Sequence, residues 1–241
     1  MPTFAENAIS YFTKLKAPVQ LPLDVHVLNP YEKDNVKSAV REFYQKFYDD
    51  DRKRIFILGI NPGRFGGGLT GISFTDPVAL RKHCCIDNHL GNKEELSSKF
   101  VYEVINRFGG VEKFFSHFFL SAIYPLALIN DGKNFNYYDS KKLFTFLRPQ
   151  LMNSLNEQII FGADRKVVIC LGKKNADYLK LLNNELELFE RIETLEHPRF
   201  IIQYRKKKMK DYPGREDCLS KENHRLREVC SKKNASRFSI G

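Results

Sequence analysis

Two polar side chains stand directly after apolar runs of the sequence, where a folded chain can present them for binding or catalysis. Asn61 follows the run Arg54–Ile60, and its side-chain amide offers one carbonyl acceptor and two N–H donors. His197 follows the run Ile192–Leu195 after a single glutamate and precedes Pro198, which restricts the backbone beside it. A lone histidine at the end of a strand is more often structural than catalytic, so the two residues carry an argument only together.

Asn61 opens a long loop that extends to Pro77 and is rich in glycine. Six glycines permit backbone conformations closed to other residues and let a ligand approach the main chain; they are Gly59, Gly63, Gly66, Gly67, Gly68 and Gly71. The loop lacks the Gly-Lys-Ser/Thr ending of a P-loop and the spacing of a dinucleotide-binding fingerprint. A flexible loop and a phosphate cradle remain open as alternatives.

A basic segment follows His197. It begins with Arg199 and Phe200 and continues through the run Tyr204–Lys210. Cations beside aromatic rings can hold a nucleic-acid backbone, although a basic run is more often a solvated face. The formal net charge of +10 and the isoelectric point of about 9.3 suit a polyanionic partner, because Lys and Arg release counterions when they neutralise phosphates. Charge alone does not separate such a partner from a solvated basic surface.

Hydrophobic periodicity predicts an α/β fold for the elements that position these loops. Apolar residues at three- and four-residue spacing predict helices, and continuous apolar runs bounded by turn signals predict buried parallel strands. The predicted strands are Arg54–Ile60, Phe118–Leu128, Lys166–Gly172 and Ile192–Leu195. The predicted helices cover residues 4–15, 33–48, 94–110, 139–160 and 175–182. The alternation predicts a three-layer sandwich with a central, mostly parallel sheet of about four strands.

The ends of these strands predict where a ligand binds. Asn61, Pro125, Gly172 and His197 each follow the carboxyl end of a predicted strand. Ligands of open α/β sheets bind at that edge. We therefore expect the unusual loops to converge on one pocket.

Length and composition limit the class of protein. The 241 residues suffice for one domain, which we place at residues 1–212, followed by a polar and weakly ordered tail at 213–241. The five cysteines form no Cys-x-x-Cys pair, so we expect no disulfide framework, no metal site and no cofactor. No apolar run approaches the ~20 residues of a membrane span, and the N-terminus lacks the order of a secretory signal. We expect a cytoplasmic protein without membrane contact.

The sequence resembles the single-strand-selective monofunctional uracil-DNA glycosylase family from about Asn29 to about Phe200. The most specific match is the pattern Asn-Pro-Gly-x-Phe-Gly followed by Thr-Gly-x-x-Phe, at residues 61–74. The other matching segments are Leu96–Phe100, Phe114–Leu126, Val167–Gly172 with Ala176, and the pair His197–Pro198. The histidine–proline pair means little alone but gains weight from its order and spacing. The resemblance implies the uracil-DNA glycosylase fold, in a distinct bacterial branch of the family.

The resemblance implies a DNA glycosylase that flips a damaged base out of the stack and hydrolyses its N-glycosidic bond for base excision repair. In that reaction Asn61 would orient the attacking water, and His197 would donate a hydrogen bond to the departing base. The implied substrate-binding residues are Gly63 and Phe65 through backbone amides, Phe74 through stacking, and Ser121 and Ala122. The implied DNA-binding residues are Arg199, Phe200, Arg205, Lys206 and Lys207. It further implies uracil in single- or double-stranded DNA as substrate, no metal, no lyase step, and a monomer acting at the bacterial nucleoid.

Two departures from the family pattern bear on substrate choice. The family's base-reading asparagine falls on Ala122, which has no polar side chain. Losing a buried polar reader relaxes specificity, so we expect activity on hypoxanthine, xanthine or 5-modified uracils besides uracil. The family pattern His-Pro-Ser-Pro-Arg-Asn is shortened to His-Pro-Arg-Phe at residues 197–200, which leaves the identity of the wedge residue open.

Two other function classes compete with the glycosylase. A nucleotide-binding α/β hydrolase would use the glycine-rich loop, but it predicts a loop lysine or carboxylate, and residues 61–65 offer only Arg64. A non-catalytic nucleic-acid-binding protein would need the basic run at 205–210 but neither Asn61 nor His197. Replacing Asn61 separates an enzyme from a simple binder.

Overall fold

The computed structural model describes residues 1–18, 20–202 and 215–235. Seven strands are present in these ranges: β1 (His26–Leu28), β2 (Arg54–Gly59), β3 (Phe118–Ala122), β4 (Ala127–Asn130), β5 (Lys133–Phe135), β6 (Ala163–Leu171) and β7 (Ile192–Leu195). The α-helices are α1 (Phe4–Thr13), α2 (Asp34–Tyr48), α3 (Gly67–Thr70), α4 (Pro77–Cys84), α5 (Leu96–Phe108), α6 (Val111–His117), α7 (Lys141–Ile159), α8 (Lys173–Leu186), α9 (Pro198–Phe200) and α10 (Arg215–Ala235). Short 3-10 helices cover Pro22–Asp24 and Pro30–Glu32.

A parallel four-stranded sheet forms the centre of the fold, in the order β3-β2-β6-β7. All residues of β2 and β3 are buried, because helices flank the sheet and both faces of these strands are covered. The predicted three-layer α/β sandwich with about four central strands is confirmed. Its carboxyl edge carries the loops that the sequence analysis singled out.

A second sheet was not predicted. The run Phe118–Leu128 is two strands: β3 ends at Ala122, and β4 begins at Ala127 in an antiparallel sheet of order β1-β4-β5. Pro125 separates them, since it has no N–H to continue a ladder. Asp131 and Gly132 link β4 to β5 with positive φ at both positions, as an Asp-Gly hairpin turn requires. The Asp-Gly pair is a turn signal in the sequence, but the continuous apolar run before it led to the prediction of a single strand.

A helix lies within the segment 213–241 that the sequence analysis described as a tail. Residues 215–235 form α10, whose Leu226 and Val229 are buried. The helix packs on α5, where the Arg227 guanidinium lies 5.6 Å from the Phe108 ring centroid and donates to the Arg107 carbonyl. The sequence of this segment contains few apolar residues, so it showed only a weak helical periodicity. Within the described residues, none of the helices has the length and apolarity needed to cross a bilayer.

Candidate active site

A cavity of about 140 Å³ opens at the carboxyl edge of the central sheet. It brings together the end of β2, the end of β3, the turn after β7 and the glycine-rich loop. Its lining residues are Gly59, Ile60, Asn61, Pro62, Gly63, Ser73, Phe74, Glu95, Ser97, Ala122, Asn134, Asn136, His197 and Arg199. Asn61 and His197, which lie far apart in the sequence, therefore line one pocket, as the positions of the strand ends predict.

Main-chain groups hold the Asn61 amide in a defined orientation. Its Nδ2 donates to the Phe135 carbonyl at 3.0 Å, and its Oδ1 accepts from the Tyr137 N–H at 3.3 Å. Each amide atom still has capacity for one more hydrogen bond. The amide can thus present an acceptor and a donor to a water molecule or a ligand.

A buried hydrogen bond ties the segment that holds Asn61 to the central sheet. The Tyr137 hydroxyl donates to Asn175 Oδ1 at 2.8 Å, and both side chains are fully buried. Asn175 Nδ2 in turn donates to the carbonyls of Leu58 in β2 and Leu171 in β6. The strand ends therefore position Tyr137, which positions Asn61.

His197 is held as a neutral hydrogen-bond donor. It is the residue before α9, and its Nδ1 accepts from the Arg199 N–H at 3.2 Å. A nitrogen that accepts carries no proton, so the ring proton lies on Nε2. Burial, and to a smaller extent the nearby positive charge of Arg199, lower the pKa of His197 to about 4. At neutral pH the imidazole donates through Nε2 without carrying charge.

Phe74 forms an aromatic wall of the cavity. Its ring centroid lies 6.3 Å from that of His197, with the planes tilted by 48°. Its backbone has a φ of 57°, an uncommon conformation for a bulky residue and one that loops with a binding role often retain. Gly59 makes room for it, because a Cβ at position 59 would lie 2.5 Å from the ring. The wall is suited to stacking against a planar ligand.

Hydrogen bonds hold the glycine-rich loop in a defined conformation, which does not fit the alternative of a flexible loop. The buried Thr70 hydroxyl donates to the Thr75 carbonyl at 2.6 Å and closes the turn after α3. The Tyr31 hydroxyl, from the segment before α2, donates to the Gly71 carbonyl at 2.7 Å. These bonds fix the loop against the core, so Asn61 and Phe74 keep their places at its two ends.

Glu95 lines the cavity, and sequence reasoning missed it. It immediately precedes α5, and its carboxyl oxygens occupy the space that side chains at Gly63 and Gly66 would fill. Burial, and then repulsion from Asp76, raise the pKa of Glu95 to about 7, while Arg199 acts in the opposite direction. Asn134 and Asn136, from β5 and the segment after it, also line the pocket unpredicted. The sequence held no local signal for these contacts, since each joins segments distant in the chain.

Three of the residues predicted to contact substrate or DNA do not line the cavity. Ser121 is fully buried, and its hydroxyl donates to Gln158 of α7 instead of facing the cavity. Phe65 does not line the cavity; its ring is partly exposed, with the guanidinium of Arg64 at 4.5 Å and the ammonium of Lys93 at 5.3 Å from its centroid. Phe200 is exposed at the surface and does not line the cavity either.

The remaining predicted residues divide into two groups. Gly63, Phe74, Ala122 and Arg199 line the cavity with the two candidate catalytic residues. Ala122 presents only a methyl group, since its carbonyl accepts from Gln158 Nε2 at 3.2 Å. Arg205, Lys206 and Lys207 lie outside the described residues.

The geometry gives little support to the alternative of a phosphate-binding site. The one cation in the loop, Arg64, stacks on Phe65, and a carboxyl group, Glu95, stands in the cavity. Among the described residues, no group of three or more His, Cys, Asp or Glu side chains is placed to hold a metal ion. Cys84, Cys85 and Cys170 are free thiols.

Comparison with known proteins gives the same architecture. A family model described as "Uracil DNA glycosylase superfamily" matches residues 45–218. The crystal structure of SMUG2 from Pedobacter heparinus is similar, with a TM-score of 0.88 and 37% sequence identity over 96% of this chain and 100% of that chain. A search of curated proteins found no match.

Proposed function

The chain belongs to the uracil DNA glycosylase superfamily, and we propose that it is a monofunctional DNA glycosylase that removes uracil and other deaminated bases for base excision repair. Membership makes it a DNA glycosylase in general; the bases and the repair role are the proposal. The observation that carries it is the shared cavity of Asn61, Phe74 and His197. That set offers a group to orient water, a surface to stack a base and a donor for the departing anion.

The proposed reaction is hydrolysis of the bond between the base and C1′ of the sugar. A flipped base stacks on Phe74, a contact worth ~1–3 kcal/mol for a base on an aromatic ring. As the bond breaks, its electron pair leaves with the base, and Nε2–H of His197 donates to a base oxygen on which the charge develops. Asn61 orients a water molecule whose oxygen bonds to C1′; the proton released by the water balances the charge on the base.

Ala122 supports a relaxed choice of base. A polar side chain at this position would reject bases that leave it unpaired, and a methyl group cannot. We infer activity on hypoxanthine, xanthine and 5-modified uracils besides uracil. Assays of each base in oligonucleotides of one sequence test this inference, and cleavage confined to uracil contradicts it.

Contacts with DNA extend the proposal beyond the cavity. Arg199 stands at the rim, exposed, where it can meet a phosphate. We propose that the basic run with Arg205, Lys206 and Lys207 continues this contact, that Phe200 enters the space left by the flipped base, and that the protein acts as a cytoplasmic monomer. Loss of these charges should weaken binding to all sequences alike and reduce its salt dependence.

The test is base release from uracil-containing single- and double-stranded oligonucleotides in the presence of a chelator, followed by alkaline cleavage of abasic sites. Asn61→Ala should slow release ~100–1000-fold and leave DNA affinity in place. Asn35→Ala, at an exposed position of α2, is the matched control. Equal rates for native protein and Asn61→Ala would leave a nucleic-acid-binding protein as the better description.

A further inference from the structure

Glu95 is placed in the cavity by a hydrogen bond of its own backbone. It occupies the position before α5 where a side chain commonly caps a helix, yet its carboxyl makes no capping bond. Its N–H instead donates to Oδ2 of the buried Asp76 at 2.9 Å, and Oδ1 of Asp76 caps α4 by accepting from Ala79. Asp76 therefore fixes the backbone of residue 95, whose side chain lies against the glycine-rich loop.

Two glycines of the loop make room for this carboxyl. A Cβ built on Gly63 would lie 1.8 Å from Oε1 of Glu95, and a Cβ on Gly66 would lie 1.9 Å from Oε2. Both distances are far inside van der Waals contact, so glycine at these two positions lets the carboxyl stay where it is, and a larger residue at either would displace it. Among the described residues, the carboxyl has neither a hydrogen-bond donor nor an ion-pair partner. A polar group so closely accommodated and left unpaired beside a cavity is available to a ligand.

The surroundings of Glu95 favour the protonated, neutral form of its carboxyl more than water does. Burial has the largest effect, Asp76 adds repulsion and Arg199 opposes both, which together raise the pKa of Glu95 to about 7. His197, in the same cavity, is uncharged at neutral pH. Arg64 and Lys93 stand over the Phe65 ring on the neighbouring turn. Near neutral pH the Glu95 carboxyl is therefore present both protonated, as a hydrogen-bond donor, and ionised, as an acceptor only.

We propose that the Glu95 carboxyl contacts the flipped base and donates a hydrogen bond to one of its carbonyl oxygens. Deaminated bases share a carbonyl where their parent bases carry an amino group. A donor at that place recognises the class without selecting one ring shape, which fits a pocket whose wall at Ala122 is only a methyl group. An ionised carboxylate there would repel the anion that leaves. This inference rests on the proposed glycosylase function.

The test is the pH profile of single-turnover base release with saturating enzyme, on uracil and hypoxanthine oligonucleotides. The native protein should lose about tenfold in rate per pH unit above about pH 7, as Glu95 ionises. Glu95→Gln, whose amide is a donor at every pH, should lose this alkaline limb while its rate at neutral pH falls severalfold. Glu95→Ala should be slow throughout. His197, with a pKa of about 4, titrates outside this range.

The neighbouring residue supplies the control. Glu94 is exposed and pairs with Lys99, so Glu94→Gln should keep the native profile. Melting temperatures of all variants separate a loss of fold from a loss of contact. A flat native profile, or an alkaline limb that survives in Glu95→Gln, overturns the role of Glu95 and leaves the glycosylase function standing. A native protein that releases no base at any pH overturns both.

Discussion

The side chains proposed for catalysis owe their roles to the main-chain groups beside them. The N–H of Arg199 donates to Nδ1 of His197, which leaves Nε2 as the donor of that ring. A carbonyl and an N–H of the segment 135–137 fix the amide of Asn61. A donor held in place before the reaction needs no reorganisation when charge develops, which is why such groups contribute strongly to catalysis. Neither arrangement depends on a charged partner.

The low pKa of His197 makes a prediction about stability. A histidine with an ordinary pKa of about 6.5 in the unfolded chain and about 4 in the folded protein binds more protons when unfolded between those values. Stability is therefore complete above about pH 6.5 and falls as the pH drops toward about 4, by up to about 3 kcal/mol. His197→Gln should remove this component from urea unfolding measured across the window. His26→Gln, at an exposed position, should retain it, and identical curves for both variants would contradict the assignment.

The packing of Glu95 against Gly63 makes a second prediction. Gly63→Ala places a methyl group 1.8 Å from Oε1 of Glu95, so the carboxyl or the loop must move. We expect a loss of base release of at least about tenfold with little change in melting temperature, because the end of a flexible side chain can shift easily while small displacements in an active site are costly. The double variant with Glu95→Ala should release base no more slowly than Glu95→Ala alone, since the second change removes the group that clashes. Strictly additive losses in the double variant would show that the two residues do not meet.

Among the secondary-structure elements, the segment between β5 and α7 links the sheet to the active site. Its Tyr137 donates to the buried Asn175 through the hydroxyl and to Asn61 through the N–H. Tyr137→Phe leaves Asn175 Oδ1 buried without a donor, which costs about 1–3 kcal/mol. We also expect a lower kcat with little change in KM, because the substrate still binds while the main chain at residue 137, whose N–H holds Asn61, loses its anchor to Asn175.

Its neighbour in the sequence provides the comparison. The Tyr138 ring stacks on Tyr178, and its hydroxyl bonds to no described residue. Tyr138→Phe should therefore leave both unfolding free energy and kcat near their native values. Thermal unfolding and single-turnover rates of the two variants distinguish them, and equal effects would argue against a specific link from Tyr137 to Asn61.

In the molecule as a whole, the two ends of β2 have different roles. Its carboxyl end contributes to the active site, and its amino end anchors the core. Arg54 is fully buried at the start of β2, with its guanidinium 4.9 Å from the Phe4 ring centroid and 4.7 Å from that of Tyr48. It donates to the Phe115 carbonyl and forms an ion pair with Asp50 at 2.8 Å. A guanidinium buried this completely is tolerated only because these hydrogen-bond and ion-pair partners compensate its charge.

The Asp50 carboxyl is consequently sensitive to acid. Partial burial acts to raise the pKa of Asp50, but hydrogen bonds from Arg54 and Arg52 outweigh it and hold the pKa well below the ordinary range. A depressed pKa contributes stability above about pH 4 that is lost as the pH falls below it. Asp50→Asn should cost about 3–5 kcal/mol at neutral pH, because it leaves a buried guanidinium without its counter-charge. Asp51→Asn, exposed beside it, should stay within about 0.5 kcal/mol in chemical unfolding, and similar losses in both would disprove the ion pair's role.

Local pattern was sufficient for the central architecture. The apolar runs predicted β2, β6 and β7, and helical periodicity predicted α2 and α5 to within a few residues. The order of strands also placed Asn61 and His197 at one edge, since parallel strands must point their carboxyl ends the same way. These features depend on neighbours in the sequence, where hydrophobic burial imposes a period that can be read directly.

Which side chains meet in the cavity depended on contacts between distant segments. Ser121 and Ala122 lie in a strand buried on both faces, so no polar alternation indicated that Ala122 faces the cavity and Ser121 faces α7. Glu95 reaches Gly63 only because Asp76 orients its backbone, and Tyr137 reaches Asn175 across the fold. Such pairings are set by packing in three dimensions and leave no periodic trace in the chain.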